Sequence, residues 1–170
     1  TQEINDRIVK AKNAIQQYQT EISSRMDRVR DLRGTIEDEE SNDRRYQKIN
    51  SLTDQLKRNM TKVANDISFY RDNDECGTCK QTIAEEFKDN VVQSRKEKLK
   101  EIEKAQVELN AKNEVVRKRM SEITDVHTII NQLQSEINDF NLRIQTDNRS
   151  IEEWNTEIER ANIATADTDE

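Results

Sequence analysis

The sequence predicts an all-α protein, an antiparallel coiled-coil hairpin with a Cys-x-x-Cys turn at its apex. Three observations support this prediction: the composition, the spacing of the apolar residues, and the symmetry of that spacing about the cysteines. The 170 residues include no proline, two glycines, 37% charged residues and 4% aromatic residues. This composition has too little apolar mass for a rounded core and favours long helices with a narrow apolar seam.

Composition and charge also exclude several classes of protein. A net charge of −7 with few apolar residues would also allow a disordered chain. The spacing of the apolar residues has to distinguish disorder from long helices. No apolar run approaches the roughly 18 residues of a membrane span, and no signal peptide is visible. The chain begins at Thr1 without a methionine, and we expect a segment of a longer protein. A single cysteine pair favours a reducing, intracellular setting over a secreted disulfide scaffold.

The first predicted element is an ascending helix over residues 1–71. Its apolar residues recur mostly at steps of three and four, which is the a/d seam of a coiled coil. They are Ile4, Ile8, Ala11, Ile15, Tyr18, Ile22, Met26, Val29, Leu32 and Ile36, then Tyr46, Ile49, Leu56, Met60, Val63, Ile67 and Tyr70. Between these runs Glu39 and Asp43 fall at seam positions, and Gly34 weakens the helix, so we expect a flexible point near residues 34–45.

The second long element is a descending helix over residues 83–163, with the same spacing. Its seam residues include Ile83, Phe87, Val91, Leu99, Ile102, Leu109, Val116, Ile123, Val126, Ile130, Leu133, Ile137, Phe140, Ile144, Ile151, Trp154 and Ile158. Gln106 is a polar seam position, of the kind that sets register or partner choice. Residues 164–170 read as a frayed acidic tail.

The two seams mirror each other about the cysteines. Residues whose numbers sum to 155 pair along the whole length, as in Leu56 with Leu99 or Tyr18 with Ile137. The axis of this symmetry falls in the middle of the Cys-x-x-Cys motif. Both arms carry a short step of three residues at the same height, and the acidic run 37–40 lies opposite the basic run 117–119. Complementary charge can hold the register where the apolar seam is thin.

Residues 72–82 are predicted to form the turn between the helices. The run Asp72-Asn73-Asp74 favours a turn over a helix, and Gly77 lets the backbone bend between the thiols. Thr82 and Glu85 have the spacing of a capping box, which predicts that the second helix begins near Ile83.

Cys76 and Cys79 have the spacing of half a zinc site, because two intervening residues let both sulfurs reach one ion. A structural zinc site takes four ligands, and the chain has no second pair. The single His127 lies far down one arm and is expected to be a surface residue. Three interpretations remain open: two hairpins sharing one Zn²⁺ through four thiolates, a redox dithiol, or incidental turn residues.

A long coiled-coil hairpin with Cys-x-x-Cys at its apex resembles the zinc hook of the SMC-like ATPase subunit of DNA double-strand-break repair nucleases, called SbcC in bacteria. Cys76-Gly77-Thr78-Cys79 matches the hook motif, and Ile83 matches the apolar residue that follows it. The motif lacks the proline that is common in this family. The short arms are similar to those of the T-even phage recombination endonuclease.

The resemblance implies a homodimer joined through the hook, with one Zn²⁺ shared by two chains and bound by Cys76 and Cys79. Gly77, Thr78 and Ile83 would form the hook turn and the dimer interface. It also implies a nuclease subunit and DNA as partners through head domains, with no membrane partner and a cytoplasmic, DNA-associated location, the host cytoplasm for a phage protein. The segment has no phosphate-loop motif and no catalytic constellation, so we expect no enzymatic activity from it.

Two other functions remain open from the residues alone. One is a metal-free structural or adaptor coiled coil that binds a partner helix along its arms. The other is direct DNA binding by residues 95–119, which hold nine basic and five acidic residues. The overall acidic balance weighs against the second of these.

Overall fold

The computed structural model describes residues 2–166, and these residues are almost entirely helical. Helix α1 spans Gln2–Gly34, α2 spans Glu39–Asp72 and α3 spans Glu85–Ala166. The described residues contain no β-strand beyond one isolated bridge between Glu75 and Thr82. The predicted all-α class is confirmed. Within the same residues, no helix combines the length and the apolar character needed to cross a membrane.

The chain divides into two compact units, and the first joins residues 2–37 with residues 123–166. Its core has two clusters along one seam. One contains Val29, Ile36, Ile123 and Ile130, and the other contains Ile8, Ala11 and Ile151. Rising numbers on α1 meet falling numbers on α3, so the two helices pack antiparallel.

The second unit is Asp38–Glu122, in which α2 packs against the N-terminal part of α3. Its core cluster contains Val63, Ile67 and Ile102. Residues 73–84, which we call the connector, join the two helices. The contacts again pair rising with falling numbers, as in Asn42 with Val116 and Asp66 with Arg95. This unit is therefore an antiparallel helical hairpin.

The prediction of one continuous helix over residues 1–71 is wrong, because α1 ends at Gly34 and α2 begins at Glu39. The last turn of α1 tightens, with the amides of Thr35 and Ile36 donating three residues back to Leu32 and Arg33 at 3.0 and 3.2 Å. Ile36 is only 6% exposed and lies in the core of the first unit. Burying this side chain and the low helix propensity of Gly34 together favour the interruption. A flexible point near residues 34–45 stays a prediction.

The interruption changes which polar residue occupies the core of the second unit. Glu39 and Asp43 were expected at seam positions, but Asp43 is exposed. Asn42 is instead buried at 4% exposure, and its side-chain amide donates to the carbonyl oxygen of Val116 at 3.3 Å. Asn42 lies seven residues before Ile49, so the heptad phase of α2 starts afresh after the break. A buried asparagine at a seam position favours a register in which its amide reaches an acceptor, because an unpaired buried amide is costly.

The predicted register, with paired numbers that sum to 155, is offset by several residues. The aromatic rings of Tyr18 and Phe140 are in contact, with centroids 5.6 Å apart, and their numbers sum to 158. Arg25 donates to Glu136 at 2.7 Å, which corresponds to a sum of 161. Seam residues recur every three or four positions, so neighbouring registers bury almost the same apolar side chains. Polar pairs and the length of the connector decide between them.

The predicted charge complementarity in the middle of the arms is confirmed within the second unit. Arg119 makes a two-pronged ion pair with Asp38, with its Nε and Nη2 atoms 2.8 and 2.7 Å from the two carboxylate oxygens. This geometry is the strong form of an arginine–carboxylate contact. The hydrogen bonds from Arg119 hold the pKa of Asp38 below its usual value.

The C-terminal part of the chain differs from the prediction in one boundary. Helix α3 continues through Ala166, three residues into the predicted tail. Residues 167–170, the rest of that tail, lie outside the described residues.

Candidate metal half-site

The connector starts where α2 is closed by Asn73. This residue has extended backbone angles, and both its backbone amide and its side-chain amide donate to the carbonyl oxygen of Phe69, at 3.1 and 3.0 Å. These two hydrogen bonds to the Phe69 carbonyl, in the last turn, stabilise the end of the helix. The run Asp72-Asn73-Asp74 therefore ends the helix as the sequence predicted.

The connector then forms a short antiparallel pairing that the sequence did not predict. The amide of Ile83 donates to the Asp74 carbonyl at 2.7 Å, and the amide of Cys76 donates to the Gln81 carbonyl at 2.8 Å. The amide of Lys80 returns to the Cys76 carbonyl at 3.0 Å. These bonds hold residues 76–80 as a tight loop, which contains the Cys-x-x-Cys motif.

The capping box predicted at Thr82 and Glu85 does not form. Thr82 is paired with Glu75 in the antiparallel bridge, and α3 begins at Glu85. The Ala84 carbonyl accepts the first helical bond, from Lys88 at 3.0 Å. The extended pairing fixes the backbone of Thr82 too early in the chain for its hydroxyl to cap the helix.

The backbone strain of the loop lies at Lys80 and not at a glycine. Lys80 has a φ of 60°, the one positive φ among the described residues. Side chains with a Cβ seldom adopt this conformation. The sequence predicts the bend at Gly77, but Gly77 has no positive φ. The chain reverses its direction just after the second cysteine, and this is the point where left-handed geometry is needed.

Cys76 and Cys79 both have free thiols and form no disulfide bond. Cys79 is exposed, and Cys76 is half-buried. Hydrogen bonds from the backbone N–H groups of Cys79 and then Thr78 lower the pKa of the Cys76 thiol. The loop therefore aims two amide donors at one sulfur, which favours the thiolate that binds metals.

Lys88 anchors the connector to the first turn of α3. Its side chain is 7% exposed, and its Nζ atom lies 2.6 Å from the carboxylate of Asp74 and 3.6 Å from that of Glu85. The hydrogen bond to Asp74 raises the pKa of Lys88 and lowers that of Asp74. A charged amine buried in this way keeps its charge only with such a partner. In the sequence, the one feature that points to this role of Lys88 is its spacing from Glu85, three residues apart on one helix face.

The other predicted hook residues lie in the connector as well. Gly77 and Thr78 are exposed, and open space surrounds the position where a Cβ on Gly77 would lie. Ile83 is half-buried and contributes the amide that pairs with Asp74. The structure therefore brings all five predicted site residues into one connector.

The residues present fit half of a zinc site. Two thiols of one tight loop, with amide donors on one sulfur, have the ligand type and spacing that Zn²⁺ requires. Among residues 2–166, no group of three or more His, Cys, Asp or Glu side chains is arranged to hold a metal. A complete four-ligand site at these thiols would need two ligands beyond those that residues 2–166 bring together.

Comparisons with protein families, with curated proteins and with solved structures give no significant match to this chain.

Proposed function

We propose that this chain is the zinc-mediated dimerisation and tethering segment of a DNA double-strand-break repair complex. In this function, two chains meet at their connectors and share one Zn²⁺ through Cys76 and Cys79 of each. The shared zinc would link two DNA-bound heads of an ATPase–nuclease assembly. The parts that bind nucleotide and cleave DNA would belong to other regions or subunits of that assembly.

One observation carries the proposal: the two free thiols lie in the tight loop of the connector, with the ligand type and spacing of half a zinc site. The hydrogen bonds that favour the Cys76 thiolate support it, because thiolates and not thiols are zinc ligands. Exposure of Cys79 leaves room for a second chain to approach. Tetrahedral zinc sites of four cysteine ligands are a common structural type, so two such halves suffice.

The sequence resemblance to the zinc hook supports the DNA-repair part of the proposal. That resemblance depends on the motif Cys76-Gly77-Thr78-Cys79 and on the predicted hairpin. The helical hairpin of the second unit agrees with it in architecture, since the motif occurs in the connector between two antiparallel helices.

Native mass spectrometry of the reduced chain, purified with zinc, tests the proposal. We expect one zinc ion per two chains, and loss of the zinc and the dimer together after addition of a strong chelator. The paired change Cys76→Ser and Cys79→Ser removes all four thiolates and should leave helical monomers. A dimer that survives in this variant would show that the interface lies elsewhere.

Gly77→Ala is the matched control, because it lies in the same loop and retains both thiols. The added methyl group meets no atom within 4 Å. We therefore expect this variant to bind zinc and dimerise like the parent chain. If it lost the dimer while circular dichroism showed intact helices, the partner chain would need to approach Gly77 closely.

A further inference from the structure

The second unit contains a groove between α2 and α3 that is well separated in sequence from the connector. Its volume is about 410 Å³. Arg45, Lys48 and Leu52 line it from α2, and Lys112 and Val115 line it from α3. We call this feature the basic groove.

Among residues 2–166, the three cations of the basic groove form no close ion pair, although Arg45 is near enough to Asp38 to help lower the pKa of that carboxyl. No carboxylate belongs to the lining of the groove. Among the described residues, Arg45, Lys48 and Lys112 take part in none of the ion pairs, whereas the adjacent Arg44 pairs with Glu40 at 3.0 Å. The lining of the groove therefore carries a local excess of positive charge.

The groove also exposes apolar side chains between these cations. Val115 is 71% exposed and Leu52 is 39% exposed, while Ile49 and Val116 beneath them are buried. The phosphates of a nucleic acid would pair with the cations but would not cover such side chains. A protein segment that carries both apolar and acidic residues would cover the exposed apolar side chains of the groove and neutralise its cations.

The stretch of α2 that begins at the groove is basic, in contrast to the acidic balance of the whole chain. Residues 44–62 of α2 contain six basic residues and one acidic residue, although the net charge of the chain is −7. This local excess would attract an acidic partner and repel a basic one. Charge complementarity thus specifies the sign of the partner.

We propose that the basic groove binds an acidic amphipathic helix of a partner protein. Apolar side chains of that helix, at i, i+3 or i+4 and i+7, pack on Leu52 and Val115. Carboxylates on both sides of this stripe reach Arg45, Lys48 and Lys112. The interaction goes beyond zinc-mediated joining of two chains and does not depend on it.

The test uses the full chain with Cys76→Ser and Cys79→Ser, so that zinc binding has no influence on the result. A display library of 16-residue peptides, randomised at every position, is selected for binding to this protein. We expect enriched peptides with apolar residues at helical spacing, flanked by Asp and Glu. Fluorescence anisotropy then measures the affinity of one enriched synthetic peptide at several salt concentrations.

Charge reversal in the groove should lower the affinity for that peptide by at least about tenfold, because three exposed ion pairs are lost. The groove variant carries Arg45→Glu, Lys48→Glu and Lys112→Glu. A matched control with the same change in net charge carries Lys96→Glu, Lys100→Glu and Lys104→Glu, and should bind the peptide within about threefold of the parent. Circular dichroism checks that both variants remain helical, as expected for substitutions at exposed positions.

The double change Leu52→Ser and Val115→Ser tests the apolar half of the proposal and should also cost about tenfold in affinity. Each of the following outcomes would overturn the proposal. The selection could yield no peptide, or peptides without acidic residues. A 30-base-pair DNA duplex could bind and lose affinity in the charge variant but not in the serine variant, which would assign the groove to nucleic acid. Zinc-independent self-association that Val115→Ser removes would assign it to a second copy of this chain.

Discussion

Replacing Lys80 by glycine should stabilise the connector, although it deletes a charged side chain. Lys80 has a φ of 60°. This left-handed conformation costs a residue with a Cβ roughly 1–2 kcal/mol. Glycine avoids that cost but loses about 0.5–1 kcal/mol more backbone entropy on folding. The difference predicts a net gain of about 0.5–1 kcal/mol for Lys80→Gly.

Hydrogen exchange at the connector measures this gain directly, because local opening is sampled amide by amide. The amides of Cys76, Lys80 and Ile83 all donate to backbone carbonyls across the connector. Their protection should rise about two- to fivefold in the variant, which corresponds to the predicted free energy. Amides of α1 belong to the other unit and should exchange as in the parent chain.

Two controls isolate the backbone as the cause. Lys80→Ala removes the charge but keeps the Cβ, so its connector should exchange like that of the parent chain. Gly77→Ala adds a Cβ where φ is not positive and space is open, and it should be tolerated or slightly stabilising. If Lys80→Gly gave no added protection, or if Lys80→Ala gave the same gain, the reasoning from backbone strain would be refuted.

Three further measurements test the core, an ion pair and the metal. Ile123 is 5% exposed in the first unit, so Ile123→Ala should cost about 2–5 kcal/mol in urea unfolding, whereas Ile129→Ala, at a position 41% exposed, should cost far less; equal losses would contradict the core assignment. The pKa of Asp38 is lowered in the folded chain by Arg119, so the stability from this pair is present above the unfolded pKa of about 4 and disappears as the pH falls through the folded pKa. Between pH 5 and pH 3, the melting temperature of the parent should therefore fall more steeply than that of Asp38→Asn, and parallel curves would exclude this linkage. Zinc-dependent dimers should dissociate as the pH falls, because protons compete for the thiolates; analytical ultracentrifugation across that range measures this, and dimers independent of pH and chelator would argue against thiolate ligation.

The sequence by itself determined the helical class, the seam residues and the location of the two cysteines between two helices. Heptad spacing is a local property of the chain, since it follows from 3.6 residues per helical turn. The seam residues Val29, Val63 and Ile123 were identified from spacing alone, and all are buried. The charge complementarity between Asp38 and Arg119 was also visible in the sequence, as two runs of opposite charge at matching height.

Only the tertiary structure decided the register, the helix break and the geometry of the candidate site. Registers that differ by one heptad step bury nearly the same apolar area, so spacing cannot distinguish them. The buried amide of Asn42 and the pairing across the connector select one, because each needs a specific partner. The break after Gly34 depends on how Ile36 packs against α3, and the strain at Lys80 depends on where the connector reverses. Such contacts join residues that are distant in sequence, and no local pattern of residues specifies them.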